Sequence, residues 1–166
     1  FSTATQGYDL SLTGSSNTIT NAVTFQNTGT LNLGDASGDT FTFNGGLTEN
    51  TSGTVTLEGT IASSNDAITF GNVASGGTLT IDTNASSNAA DISIGAIAAG
   101  VNDTITLKTG DNVAGADITV SGAVSNNSNF QLINVGGTAT FSDSVTAASF
   151  TAGSTVANVI FNGSSN

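Results

Sequence analysis

The sequence predicts an all-β fold, a β-solenoid of roughly six coils with about 25 residues in each, and three features predict it. The first is a pair of interleaved triplet families. One reads Leu31-Asn32-Leu33, Val55-Thr56-Leu57, Leu79-Thr80-Ile81 and Ile105-Thr106-Leu107; the other reads Phe41-Thr42-Phe43, Ile68-Thr69-Phe70, Ile92-Ser93-Ile94 and Ile118-Thr119-Val120. A fixed period in this range marks stacked repeats. The second feature is the alternation within each triplet, apolar then small polar then apolar, which marks a strand with one buried face. The third is a bend after the second family, as in Phe70-Gly71-Asn72-Val73 and Ile94-Gly95-Ala96-Ile97. Leu47, Val73, Ile97 and Val124 return inward there and form a third apolar ladder, so each coil has about three inward-facing sides. A β-sandwich is the alternative, since strands every 13 residues or so also suit one. The interleaving of three ladders favours the solenoid.

Along the chain, Tyr8-Asp9-Leu10-Ser11-Leu12 and Val23-Thr24-Phe25 read as early strands in a less regular register. The regular coils follow. Phe130-Gln131-Leu132-Ile133 reads as an irregular member of the first family. Ala139-Thr140-Phe141 with Val145 continues the second at a shorter step, and Phe150 and Ile160-Phe161 complete the pattern. Candidate loops lie at 34–38, 63–66, 83–90, 110–115 and 125–129. Apolar positions at i, i+3, i+4 and i+7 are not sustained anywhere, so no helix is expected. Residues 1–166 read as a single domain without a linker. At 4.7–4.9 Å between strands, six coils would stack to about 30 Å. Neither end offers an amphipathic helix or charged strand to cap the stack. The expectation is therefore a slice of a longer solenoid, or a subunit stacked end to end on its neighbours.

Composition removes several function classes. The 166 residues include one Lys, no Arg, no His and twelve acidic residues, a formal charge of −11. Binding nucleic acid requires clustered Lys and Arg, and an anionic membrane surface would repel the chain. No apolar run approaches the roughly 20 residues of a membrane span. With no Cys, disulfides, thiolate catalysis and Cys-based metal sites are excluded. Export from a bacterium, to an extracellular or cell-surface location, fits this Cys-free, Thr- and Asn-rich composition.

Enzyme chemistry finds no foothold. Nucleophilic triads fail without His or Cys, and the carboxylates are spread singly rather than in the pairs that glycoside hydrolysis uses. Structural calcium is the one cofactor considered, because Ca²⁺ takes oxygen ligands. Asp35 and Asp39 share one loop, and Asp103, Asp111 and Asp117 flank another. The competing reading is that these aspartates start turns by local hydrogen bonding. Thr54, Thr56, Thr78, Thr80, Thr104 and Thr106 are expected to point outward and stack on one face, which resembles the ice-binding faces of some solenoid antifreeze proteins. The plainer reading is that Thr is a good exposed strand residue. Lys108 is expected to be solvated, and Phe41, Phe43, Phe70 and Phe141 to fill the core.

One run, Ile68-Thr69-Phe70-Gly71-Asn72-Val73, is followed by Gly77-Thr78-Leu79-Thr80-Ile81, and its style recurs from Gly137-Thr138-Ala139-Thr140-Phe141 to Phe150. It resembles the repeat regions of large secreted bacterial surface proteins, particularly filamentous-haemagglutinin-like and autotransporter passenger proteins. The resemblance covers roughly residues 28–161. It implies a right-handed parallel β-helix, export to the cell surface, and a role as adhesin or stalk. Expected partners are the chain itself, end to end, or flanking coils of a longer chain, and a cell-surface glycan.

Overall fold

The structure, a computed structural model, describes residues 1–49, 53–125 and 129–164. It is all-β, with no helix among the described residues. The chain coils into two parallel sheets, one of eleven strands and one of seven. Every strand pairing among the described residues is parallel, which excludes the antiparallel sandwich. No described helix is long and apolar enough to cross a membrane.

The seven-stranded sheet forms one side of the coil. Its strands Val23–Phe25, Leu47–Glu49, Ile68–Phe70, Ile92–Ile94, Ile118–Val120, Thr138–Phe141 and Asn158–Phe161 stack in chain order. The eleven-stranded sheet makes the other two sides. In two coils a single strand, Val55–Ser63 or Val73–Asp82, runs across both. Elsewhere the two sides are separate strands, such as Leu31–Leu33 and Thr40–Phe43.

Burial explains why these triplets form strands. Val23, Leu47, Ile68, Ile92, Ile118 and Ala139 stand in one inward column, and each is at most 2% exposed. Fully burying a branched aliphatic side chain contributes about 1.5–3 kcal/mol. Phe41, Phe43, Phe70 and Phe141 are buried as expected. Toward the C-terminal end the core becomes aromatic. Phe130 and Phe150 stack at 5.6 Å between centroids, and Phe141 and Phe161 at 5.3 Å.

Corners are turned by residues with left-handed backbone. Gly110 has φ +82°, and a Cβ there would lie 2.2 Å from the Ala85 amide nitrogen. Asn65, Asn84 and Asn134 adopt the same region at neighbouring corners; Asn tolerates it better than other side-chain-bearing residues. Inside these corners runs a line of hydroxyls, Ser63, Thr83 and Thr109, each 0% exposed. They donate to carbonyls at the bends: Ser63 Oγ to Thr83 O at 3.1 Å, Thr83 Oγ1 to Ala90 O at 2.9 Å, and Thr109 Oγ1 to Asn134 O at 2.8 Å.

Two readings of the ladders need correction. Val55 stacks on Leu31 and then on Val73, not on Leu79, which lies opposite Gly59. Phe41-Thr42-Phe43 pairs with Ile61-Ala62-Ser63, while Leu47 takes the place beside Ile68. The reason is drift in coil length: 24 residues separate Val23 from Leu47, 26 separate Ile92 from Ile118, and 20 separate Ala139 from Val159. Each coil holds several equivalent triplets, so a fixed period joins one side in one coil to another side in the next. Phe130–Ile133 is also regular: it lies in Asn129–Ile133, in unbroken register with Thr104–Lys108. The expected loops at 34–38, 83–90 and 110–115 lie between strands, as does 64–66, whereas Ser63 ends its strand; of the expected loop 125–129, Ser125 ends one strand, Asn129 begins the next, and 126–128 fall outside the described residues.

Candidate functional site

The outward faces carry the candidate residues, and the register distributes them differently from the expected single Thr face. Thr56 lies between Asn32 and Ala74. Thr80 and Thr106 belong to another line, Thr40, Thr60, Thr80, Thr106, followed by Gln131. Thr106 is only 8% exposed. Thr104 pairs with Asn129, and Thr54 and Thr78 are exposed. The six residues therefore do not form one array. Between Leu57/Gly59 and the facing strand the register slips, so that Gly76, Gly77 and Thr78 face the single residue Glu58, whose side chain lies against the two glycines.

A longer hydroxyl column lies on the seven-stranded sheet: Thr24, Thr48, Thr69, Ser93, Thr119 and Thr140, in register across six successive strands. Thr48 and Thr119 are exposed, and the others half-buried. The signal was present in the sequence as the central residue of the second triplet family. Thr24 and Thr48 were missed because Leu47 had been placed on the wrong ladder.

Most of the five aspartates considered for calcium hold backbone amides. Asp39 Oδ2 accepts from the amides of Asp35 at 3.0 Å and Ala36 at 3.2 Å. Asp103 Oδ2 accepts from Gly100 N at 2.7 Å. Asp117 Oδ1 accepts from Thr138 N at 2.7 Å, and its own amide donates to Asp91 Oδ1 at 2.9 Å. Asp111 is exposed, and its amide donates to Ala85 O. No group of three or more carboxylates assembles among the described residues.

Several polar side chains of one coil accept amides of the next. Asp9 Oδ1 accepts from Thr30 N at 2.8 Å, Glu49 Oε2 from Gly71 N at 3.1 Å, Asn65 Oδ1 from Ser86 N at 2.6 Å and Asn72 Oδ1 from Ala96 N at 2.8 Å. The backbone amide and the hydroxyl of Thr30 hold the Asp9 carboxyl below its ordinary pKa. Glu49 was not foreseen as a core residue. It is 2% exposed and stands beside Phe25 in the inward line.

Lys108 is not simply solvated, as had been expected. Its Nζ lies 2.8 Å from Asp82 Oδ2, with the two side chains 34% and 5% exposed, and the residues face each other in register. A shallow depression of about 260 Å³ near Thr54, Asn72, Ala74 and Ala98 has no charged residue in its lining. Chemically, the described surface offers hydroxyls, amides and separated carboxylates. Compared with family models, curated proteins and solved structures, the chain matches none.

Proposed function

We propose that this chain is a non-enzymatic structural or adhesive segment, or self-assembling subunit, of an extracellular bacterial fibre, stalk or adhesin. The observation that supports this reading most is the unbroken parallel stacking of both sheets over an apolar core through the described length. Such a stack holds its backbone amides in ladders, each bond contributing about 0.5–1.5 kcal/mol net, so the chain is stiff and its backbone is poorly available to proteases. Function follows from length, spacing and a repetitive polar surface. The test is limited proteolysis combined with small-angle scattering. A rigid elongated particle whose coils resist cleavage supports the reading; ready cleavage throughout the coils sinks it.

A second reading has an observation of its own. The column Thr24, Thr48, Thr69, Ser93, Thr119 and Thr140 is a regular hydroxyl array that could take a glycan or an ice surface. Thermal-hysteresis and glycan-array measurements on the chain and on Thr69→Lys separate the two readings. Binding that the lysine abolishes supports a recognition module, and no binding in either assay removes it.

A further inference from the structure

We propose that Asn65 is a self-deamidation site: the folded chain hydrolyses this side-chain amide to a carboxylate, with water as the co-reactant and ammonia as the leaving group.

Asn65 stands at the corner between Val55–Ser63 and Ile68–Phe70, with φ +70°. Its backbone amide is fixed to the following coil, donating to Thr83 O at 3.0 Å. The side chain reaches the loop 83–90 of that coil. There Oδ1 accepts from three consecutive backbone amides, Ser86 N at 2.6 Å, Ser87 N at 3.1 Å and Asn88 N at 3.5 Å. Successive N–H groups that converge in this way form a nest for negative charge. Three amide donors also settle which end of the side-chain amide is the oxygen. The other end, Nδ2, donates to Ser87 Oγ at 3.0 Å. Asn72 Oδ1, by contrast, accepts one amide, that of Ala96.

A carbonyl held by three donors is polarised toward attack. The N–H groups draw electron density from the side-chain carbon of Asn65, and they already stand where negative charge gathers on Oδ1 when a nucleophile adds. Asn65 is half-buried, and Ser86, Ser87 and Asn88 are exposed, so water reaches the corner. The water oxygen bonds to the side-chain carbon, and the carbon–nitrogen bond then breaks. Ser87 Oγ, in contact with Nδ2, passes its hydroxyl proton to the departing nitrogen and recovers one from the adding water. The product acid ionises, and its proton ends on the released ammonia. No oxidant or reductant is consumed.

The product suits the nest better than the amide does. A carboxylate accepts charge-assisted bonds, roughly twice as strong as neutral ones, from the same three N–H groups. Its second oxygen accepts the Ser87 hydroxyl where Nδ2 had donated. Asp66, the adjacent carboxylate in the chain, is exposed, so water and salt screen its repulsion. Conversion therefore tightens a contact between two coils.

Peptide-mapping mass spectrometry tests this on the purified chain, incubated at neutral pH both folded and in denaturant. Conversion at residue 65 should run at least roughly tenfold faster in the folded chain, because the three amides converge only when the coils are stacked. Asn44, which precedes Gly45 and reacts through its own backbone in a loose chain, serves as the reference and should convert faster in denaturant. Ser87→Ala keeps the three amides and should slow conversion at residue 65 by roughly tenfold or more. Asn65→Asp should melt above Asn65→Ala and no lower than the wild type. Conversion at residue 65 that is absent, or no faster folded than denatured, overturns the proposal. An isoaspartyl product also overturns it, since that marks attack by the Asp66 amide instead of water. Ser87→Ala reacting at the wild-type rate removes the hydroxyl from the proton path.

Discussion

Phe141 and Phe161 occupy successive places in one column, yet Phe141 is 1% exposed and Phe161 is 42% exposed. The same contrast separates whole regions. Strands in the middle of the stack, such as Ile92–Ile94, alternate buried and half-buried residues, whereas Ser149–Ala152 and Asn158–Phe161 have no buried position. Ser149-Phe150-Thr151-Ala152 has the same alternation of apolar and small polar residues, and Asn158-Val159-Ile160-Phe161 keeps apolar residues at both inward places. The difference teaches that a coil does not bury itself. Its core is completed by the coils above and below, so stability in this fold is a property of neighbours, as in other one-dimensional repeat architectures.

Truncation measures that dependence most directly. Phe141→Ala should cost about 3–5 kcal/mol in denaturant unfolding, the range for a fully buried aromatic. Phe161→Ala should cost roughly a third of that, since much of the ring is already in water. Equal costs would mean that the terminal coil is covered in solution and would remove the contrast.

Corners sharpen the same comparison at smaller magnitude. Gly110→Ala places a Cβ into backbone that requires φ +82° and into contact with Ala85 N, so a loss of at least about 1–2 kcal/mol is expected. Gly38→Ala meets nothing within 4 Å and should stay within about 0.5 kcal/mol of the wild type. Thermal melts of the two variants compare a corner held between coils with a loop outside them.

Asp82→Ala breaks the cross-coil ion pair and removes the acceptor that takes Asn84 N at 2.9 Å. Because Lys108 is about a third exposed, the expected loss is about 1 kcal/mol, and Lys108→Met should lose less, since Asp82 keeps its amide.

The smallest effect is one of pH. The Asp9 carboxyl is held below its ordinary 3.8 by Thr30. A lowered folded-state value contributes stability that is present at neutral pH and lost as pH falls through that value. Asp9→Asn should therefore be slightly less stable than the wild type at neutral pH, and the gap should close in acid. A gap that widens in acid would contradict the Thr30 contact.

Much of this architecture was legible because Ile68-Thr69-Phe70, Ile92-Ser93-Ile94 and Ile118-Thr119-Val120 are both strand triplets and true neighbours. Register before Ile68 was not legible. Phe41-Thr42-Phe43 is the better triplet by pattern, yet Leu47-Thr48-Glu49 lies beside Ile68, because only the three-dimensional path decides the neighbour. The buried Glu49 could not be read at all, because a carboxylate at an inward place depends on the Gly71 amide of the following coil. The aspartates were legible as turn-formers by residue type, but Asp117 also reaches Thr138, a contact that crosses coils and has no local signature. The Thr surface suffered in the same way: the periodic motif was real, but the faces to which its members belong follow from coil length.

The side-chain acceptors have a common sense of direction. Asp9, Glu49, Asn65, Asn72, Asp91 and Asp117 each take an amide from the following coil; Thr155, which accepts from Asn134 of the preceding coil, runs the other way. A chain that emerges N-terminus first therefore adds each new turn onto a platform whose receptors are already in place. Growth from the opposite end would have to leave those receptors to be supplied afterwards. The latches thus have one predominant polarity, the side chains of each coil holding amides of the coil that follows it.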